Sequence, residues 1–579
     1  MSAAQPDRSS PDGSMVRGSG ARGVAGTAQG AVRHLVVFGL LLALIVVTAI
    51  GLAGLLERLL DAVLPGGTPL VARDSSGLAR SLAFTLIGGP LAAVLWWLVW
   101  RRLDALAERR SLAWGLYVAA LCTIALITAT TALLTAAASQ IGGTTDLGLW
   151  ATGLVWTAVW VWHRWMLQDA PRGPLRLATV GPVLGAAFGL VIAVGGAVTA
   201  VGSVFDTALH AFGARGIGGD PWWIVAGQGL VWAVGGAVIW FWHWHHDGTR
   251  TGRTAFGGVV LVLTGILGAG ALTLTGAGVT LFALLRLLTD RADGLAVMLD
   301  LLGPALASAS IGAVVWAYHR TITGQRPSST RQAATLLTSG LGLVAAASGI
   351  GVIVNALLAS MTSQLAGSDS RALLLAGLSA LLVGAPVWWV SWRPLPRPQP
   401  HDLATPGRRV YLITVFGLSA VVALITLLVL AFRIFETFLD PVTVSAFVER
   451  IRAALGLIIA TGLVAGYHFG VWRQDRAETS DPEQSPHAAI SRVYLIADAP
   501  ATELIALVER VTGARVTLWP RAVAAASHTD SGDTASSPDA ALSPLTEALL
   551  VSDLNDVTAR RVVLIAGPEA RLQVLPLAG

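Results

Sequence analysis

The sequence contains no lysine, so all 39 of its basic residues are arginine. That absence excludes chemistry that needs a lysine amine, including the nucleotide-binding P-loop, the Schiff base of pyridoxal phosphate and the catalytic lysine of protein kinases. The one cysteine, Cys122, can form no intramolecular disulfide and can supply no cysteine cluster for a metal ion. We therefore expect the chain to hold no cofactor.

Charged residues are also scarce, at 13% of the chain, whereas hydrophobic residues make up 54%. Soluble domains carry roughly 25% charged residues. Several apolar runs exceed the roughly 20 residues that cross the hydrocarbon core of a bilayer as a helix. The composition therefore predicts an all-α polytopic membrane protein whose partner is the lipid bilayer. Because the arginines lie at the edges of apolar runs, we expect no nucleic-acid partner.

One pattern recurs six times: an apolar run ends in aromatic residues and, in most copies, an arginine. The copies read VLWWLVWR, VWVWHR, IWFWHWHH, VWAYHR, VWWVSWR and GYHFGVWR. Tryptophan and arginine are enriched where spanning helices meet the lipid headgroups. We therefore predict that the following residues anchor helix ends at the membrane interface: Trp96, Trp100, Arg101, Trp160, Trp162, Arg164, Trp240, Trp242, Trp316, Arg320, Trp388, Trp392, Arg393, Trp472 and Arg473.

Each copy closes a two-part unit that opens near an arginine. The first part is an apolar run of about 30 residues and the second a run of about 20, so each can cross a bilayer as a helix. Repetition at a fixed period indicates a tandem architecture. We predict a membrane domain at 33–476 with about twelve transmembrane helices in six two-helix repeats, at about 33–104, 110–170, 175–247, 253–322, 331–395 and 409–474.

The arginines of residues 1–476 are unevenly shared between the two sides. The N-terminal tail, the loops between repeats and the stretch after the last repeat hold 22 of them, whereas the loops inside repeats hold 10. Basic residues concentrate in cytoplasmic loops. We therefore expect both termini to be cytoplasmic and the protein to lie in the cell membrane.

The two ends of the chain differ from the membrane domain. Residues 1–32 predict a disordered cytoplasmic tail, and residues 477–490 a polar linker. Residues 491–579 predict a small soluble α/β domain, with 7 arginines against 13 acids from residue 477 onward, a net charge of −6. This acidic domain is a candidate for binding a protein partner. Its predicted elements are strands at 493–497, 515–519, 561–566 and 571–575, helices at 502–512 and 545–554, and a flexible loop at 525–539.

The predicted units resemble the domain of unknown function 5671 family, a membrane repeat of bacterial multi-pass proteins. The resemblance rests on an opening arginine with aromatic neighbours, as at Arg409, and on a closing Trp-His-Arg, as at Arg164. It covers most of 33–476, in about six copies, and none of the soluble domain. The first and fifth units depart from the pattern, with Val99 and Ser391 where other copies have histidine. Because the family has no established activity, the resemblance implies no catalytic residue.

The densest polar cluster is WHWHHD, at 242–247. His243 and His246 can share a helix face, and imidazoles suit zinc or copper, so this pair is a candidate metal site. The alternative, which we favour, is an aromatic belt whose polar tips face the headgroups. The same explanation applies to the histidines of the other copies: His163, His319 and His468.

Glycines at a spacing of four residues allow helix backbones to approach closely in lipid, where the hydrophobic effect does not drive helices together. On this basis we predict that five glycines mediate helix packing: Gly181, Gly185, Gly189, Gly462 and Gly466.

The middles of the predicted spans contain no ionisable residue, and Gln228 and Asn355 are their notable polar groups. Proton-coupled and ion-coupled carriers usually keep an ionisable residue there. The sequence also has no nucleophile elbow and no zinc-protease motif, so we expect no catalytic residues and no enzyme. The leading expectation is a structural, scaffolding or regulatory membrane component with a cytoplasmic interaction domain. The alternative is a transporter or channel for a small uncharged or weakly polar solute, which a polar cavity at mid-membrane would favour.

Overall fold

In a computed structural model the chain forms two compact units, Met1–Phe469 and Gly470–Gly579. The predicted flexible loop at 525–539 lies outside the described residues, and so does most of the predicted linker. The structure describes residues 19–64, 75–210, 221–289, 295–362, 370–392, 406–479, 490–497, 501–521, 547–554, 557, 559–566 and 572–577.

The described residues contain twelve long helices, which we number in chain order. Local sequence explains several of their starts, because the side chains of Ser111, Asp146 and Thr254 accept hydrogen bonds from the first turns of α3, α4 and α7. Helix α1 begins inside the predicted tail. The helices are α1 (Ser19–Val63), α2 (Ser75–Arg102), α3 (Leu112–Ile141), α4 (Leu147–Gln168), α5 (Val180–His210), α6 (Trp222–His246), α7 (Ala255–Thr289), α8 (Leu302–Gly324), α9 (Ser328–Ala359), α10 (Ser370–Trp392), α11 (Pro406–Leu439) and α12 (Val444–Thr479).

Ten of these described helices are long and apolar enough to cross a membrane. The other two, α4 and α8, are of similar length but contain histidine, arginine and several hydroxyl or indole side chains, which lower their hydropathy. The prediction of an all-α polytopic membrane protein is therefore confirmed. The number of twelve spans stays a prediction.

Helices α1 to α10 pack in consecutive pairs, and each of these pairs contacts the next in the same way. Helix α3 packs on α4, α5 on α6, α7 on α8 and α9 on α10. The first helix of each pair also packs on the second helix of the following pair: α1 on α4, α3 on α6, α5 on α8 and α7 on α10. Helix α9 contacts α12 through Gly351 and Gly456. The second helices α4, α6, α8 and α10 therefore each lie between two first helices.

Close contacts within two of the pairs are made by glycines spaced seven residues apart. Gly189 of α5 meets Gly236 of α6. Two helical turns further on, Gly196 meets Gly229, and a Cβ added to Gly196 would lie 2.3 Å from a backbone nitrogen of α6. Backbones this close gain van der Waals contacts that lipid cannot match. Helices α9 and α10 repeat the arrangement with two further pairs: Gly342 with Gly384, and Gly349 with Gly377.

The five glycines predicted to pack helices behave differently from one another. Gly185 and Gly189 leave no room for a side chain, whereas a Cβ at Gly181 would make an ordinary contact at 3.5 Å. The prediction is wrong for Gly462 and Gly466, because no atom lies within 4 Å of a Cβ added at either. The close approach of α12 occurs at Gly456 instead. A four-residue spacing permits close contact, but the position of the neighbouring helix decides whether contact is made.

The described part of the C-terminal unit is a small α/β domain, as predicted. Its sheet has the strand order β2-β1-β3-β4, with β1 parallel to β2 and β3, and β4 antiparallel to β3. The elements are β1 (Arg492–Ala497), α13 (Thr502–Thr512), β2 (Arg515–Pro520), α14 (Glu547–Leu554), β3 (Arg561–Ala566) and β4 (Leu572–Leu577). Side chains on one sheet face, among them Val493 and Leu564, form a buried core with Val508 and Leu550 of the two helices.

The glycine contacts generate a prediction that separates close packing from helix propensity. Gly195→Ala should leave stability unchanged or raise it slightly, because an added methyl there meets nothing within 4 Å and alanine favours helix. Gly196→Ala should destabilise the protein by about 1–3 kcal/mol, because its Cβ strikes the backbone of α6. Unfolding in mixed detergent micelles measures both variants. Equal stability of the two adjacent variants would contradict the packing described above.

Candidate functional site

Four histidines lie near the ends of second helices, each at the same place relative to the arginine-rich side. In α4, α6 and α8 the histidine follows a tryptophan by three residues. The expectation that these side chains face the headgroups is wrong, because all four are buried between helices, with at most 3% of their surface exposed. They are His163, His243, His319 and His468.

Backbone hydrogen bonds orient three of these imidazoles. The Nδ1 atoms of His163, His319 and His468 lie 2.7 to 2.9 Å from the carbonyl oxygen four residues earlier in the helix. Because a carbonyl can only accept, Nδ1 carries the proton and Nε2 is left as an acceptor. For His163 this acceptor meets the hydroxyl of Tyr117, on α3, at 3.2 Å. The bond joins the two helices of one pair inside the protein.

Glycines on the first helices make room for two of the rings. A Cβ added to Gly185 of α5 would lie 2.5 Å from the ring of His243, and one added to Gly265 of α7 would lie 2.6 Å from the ring of His319. The spacing pattern identified Gly185 as a helix-packing residue. In the structure it provides the space that a buried imidazole occupies.

His243 differs from the others because a carboxylate holds it. Its Nδ1 donates to Oδ2 of Asp247 at 2.7 Å. The guanidinium of Arg164, at the end of α4, donates to both oxygens of Asp247 at 2.8 and 2.6 Å. The side chain of His243 is 4% exposed, that of Asp247 6% and that of Arg164 12%. This buried triad therefore joins the second helices of two successive pairs.

The surroundings of Asp247 strongly favour its ionised form. Burial alone would raise the pKa of this carboxyl, but the hydrogen bonds from His243 and Arg164 outweigh it and hold the pKa far below its usual value. Asp247 follows the last residue of α6. The sequence identified Arg164 and Asp247 separately. The two residues are 83 positions apart, and no sequence pattern predicts that they pair.

The geometry of this cluster does not favour the metal site considered for His243 and His246. The carboxylate between them already accepts two hydrogen bonds from a guanidinium, whose positive charge would repel a metal ion. His246 is 57% exposed and stacks on Trp242 with ring centroids 4.4 Å apart. Among the described residues, three side chains elsewhere bring their ligand atoms within 4.8 Å of one another: Asp206, His210 and Asp300.

Aromatic side chains continue the contacts from pair to pair at the same ends. The indole of Trp244 donates to the hydroxyl of Tyr318 at 2.8 Å, which joins α6 to α8. The indole of Trp392 donates to the hydroxyl of Tyr467 at 2.7 Å, which joins α10 to α12. These two bonds occupy equivalent positions, because each tyrosine directly precedes a buried histidine.

The residues predicted as interface anchors fall into three groups by exposure, and anchoring itself stays a prediction. Arg101 lies over the ring of Trp97 at 4.7 Å, as expected for a helix end at an interface. Arg393 lies outside the described residues. The buried anchor is Trp392; the half-buried ones are Trp96, Trp100, Trp160, Arg164, Trp240, Trp316, Trp388 and Trp472; the exposed ones are Arg101, Trp162, Trp242, Arg320 and Arg473.

A groove of about 500 Å³ lies between the middle of α5 and the first half of α6 and is open on one side. Glycines form much of its wall, and Thr199 and Gln228 are its polar side chains. Thr199 donates to the carbonyl of Gly195 at 3.1 Å, and the Gln228 amide donates to the carbonyl of Ala138 at 3.3 Å. The groove is therefore mainly apolar, and the Gln228 side chain is its one amide group.

In the described part of the chain, ten helices long and apolar enough to span a bilayer, with polar contacts buried between them, define a polytopic α-helical membrane protein. The model of the family described as domain of unknown function (DUF5671) matches residues 34–161 and 332–463, so the predicted resemblance is confirmed. The number of copies stays a prediction. The chain matches no curated protein and no solved structure.

The buried triad generates a prediction about stability. Asp247→Asn should destabilise the protein by about 3–5 kcal/mol, because it leaves the charge of Arg164 buried without its partner. Glu436→Gln, in the more exposed ion pair with Arg433, is the control and should cost at most about 1 kcal/mol. Unfolding in mixed micelles measures both. Similar losses of unfolding free energy in the two variants would show that the buried triad stabilises the protein no more than a more exposed ion pair does.

Proposed function

We propose that the chain is a structural or scaffolding component of the cell membrane, built from six two-helix repeats with about twelve spans. The observation that carries the proposal is the series of buried polar contacts between successive pairs, from Arg164 with Asp247 to Trp392 with Tyr467. Such contacts hold the pairs in a fixed order, whereas carriers usually move large repeats against each other. The proposal assigns no catalysis and no cofactor.

The family matches support a tandem arrangement with a longer period than two helices. The match at 34–161 spans α1 to α4, and the match at 332–463 spans α9 to α12. Each match therefore covers two of the proposed repeats. Helices α5 to α8 lie between the matches and pack on each other as α1 to α4 do. We propose that these four helices form a third, more divergent copy of the four-helix unit.

Orientation is part of the same proposal: the termini and the loops between repeats are cytoplasmic. Reporter fusions test it. A reporter active only in the cytoplasm should be active when fused after Arg102 and inactive when fused after Asp146, since arginine-rich loops stay inside. A reporter active only outside should give the opposite pair of results. The same activity at both positions would contradict the two-helix repeat and its orientation together.

The second sheet face of the C-terminal domain supports the role of an interaction module. Arg492 of β1 is in register with Arg515 of β2 and Arg561 of β3, so three exposed arginines form one row across the sheet. Like charges at neighbouring positions repel, and an acidic partner would relieve that repulsion. Beyond the row, Trp519 is 50% exposed and packs on Tyr494, with the two ring centroids 5.0 Å apart. We propose that this face binds an acidic, partly apolar protein surface.

Crosslinking from the sheet face tests the module. A photoreactive phenylalanine analogue in place of Trp519, in the full-length protein in cells, should give a defined protein adduct. Arg515→Glu should reduce the yield about fivefold or more, because it reverses one charge of the row and costs roughly 1 kcal/mol or more of binding. Arg510→Glu, an equal change on the exposed side of α13, is the control. An adduct unaffected by Arg515→Glu would rule out this binding mode.

A transporter for a small weakly polar solute is the second candidate, and the groove between α5 and α6 is the observation that favours it. The Gln228 amide there could bind a polar group of a solute between the two helices. Solute exchange in proteoliposomes that Gln228→Leu abolishes, with Gln140→Leu at the end of α3 as the control, would replace the scaffold proposal. No exchange by the wild type would count against transport.

A further inference from the structure

Three ligand-bearing side chains meet at the ends of the helices remote from the arginine-rich loops. Asp206 and His210 lie in the last turns of α5, and Asp300 lies just before the start of α8. His210 Nε2 is 2.9 Å from an oxygen of Asp300, and His210 Nδ1 is 3.2 Å from an oxygen of Asp206. No sequence motif links these residues, because 90 residues separate His210 from Asp300.

The backbone determines which nitrogen of His210 faces the second carboxylate. Its Nδ1 lies 2.8 Å from the carbonyl oxygen of Asp206 and so carries the proton. In the neutral ring the lone pair of Nε2 then points at Oδ1 of Asp300, which also carries lone pairs. Two acceptors at 2.9 Å repel each other unless a proton or a metal cation lies between them. A carbonyl bonded to the far nitrogen is the usual support of a metal-binding histidine.

The two helices that bring the three side chains together are in direct contact. A Cβ added to Gly303, in the first turn of α8, would lie 2.9 to 3.0 Å from backbone atoms of Asp206. The two helices therefore touch beside the cluster. His210 is 16% exposed, while Asp206 and Asp300 are 44% and 64% exposed. The ring is thus fixed, and the carboxylates remain accessible to an ion from water.

We propose that Asp206, His210 and Asp300 bind a divalent transition-metal cation, zinc or manganese, which joins α5 to α8. Two carboxylates neutralise the two charges of the ion, and one imidazole with two carboxylates is a donor set that zinc and manganese accept. Calcium and magnesium prefer oxygen ligands alone. Water completes the coordination on the exposed side. The site is independent of the scaffold and transport proposals above.

Zinc titration of the purified full-length protein, stripped with a chelator, tests the site. Competition with a chromophoric chelator should show one zinc per chain, with an affinity that rises with pH as the imidazole loses its proton. Bound zinc should also raise the unfolding temperature. His210→Gln and Asp300→Asn should each weaken binding about tenfold or more.

His246→Gln, which removes an exposed histidine at the opposite helix ends, is the control and should bind zinc as the wild type does. Gel filtration confirms that each variant is folded, and Asp300→Asn is a mild change because its side chain is largely exposed. Manganese binding at the same stoichiometry, lost in the same variants, would also support the site. Absence of zinc and manganese binding by the wild type, or equal binding by His210→Gln, would overturn the proposal and leave a proton between His210 and Asp300.

Discussion

The membrane unit depends on how closely its helices approach one another. Lipid is as apolar as the helix surfaces, so helices associate through packing and polar contacts. Glycines at seven-residue intervals let the backbones of α5 and α6, and of α9 and α10, come within contact distance. This closeness determines the register of each pair. It also determines where larger side chains can pack between helices. In this protein they pack at the arginine-rich helix ends.

At the arginine-rich helix ends, polar aromatic side chains are buried between the helices, and many of them form hydrogen bonds there. Each buried histidine uses its own helix, or Asp247 in the case of His243, as the partner for Nδ1. An unpaired polar group away from water costs several kcal/mol, so a displaced helix end would lose these bonds together with its packing. The buried polar contacts therefore specify which helix ends are neighbours, while glycine contacts specify how the helix shafts cross. The two devices act on different parts of the same helices.

The sequence predicted those features that local chemistry decides. Helix α13 has the predicted bounds, because its apolar face is periodic and Gly513 adopts the left-handed conformation, with φ of 64°, that ends it. The membrane class followed from the length of the apolar runs. The candidate sites did not follow, because they join distant residues: Arg164 meets Asp247, and His210 meets Asp300. An arginine or histidine at a helix end looks the same in sequence whether it faces headgroups or a carboxylate of another helix.

The pairing rule has a consequence for how such a protein can vary. Because the first helices α1, α3, α5 and α7 each contact their own partner and the second helix of the next pair, most contacts in α1 to α10 are between neighbours in the series. Stability in such an array is approximately a sum of pair terms and neighbour terms, as in other repeat proteins. Helix α11, at one end, packs on few helices, and Leu418 and Phe435 expose 65% and 66% of their surfaces where lipid would cover them. An end of this kind can tolerate sequence change without disturbing earlier pairs, whereas a change in α5 or α8 would affect a pair and both of its neighbours.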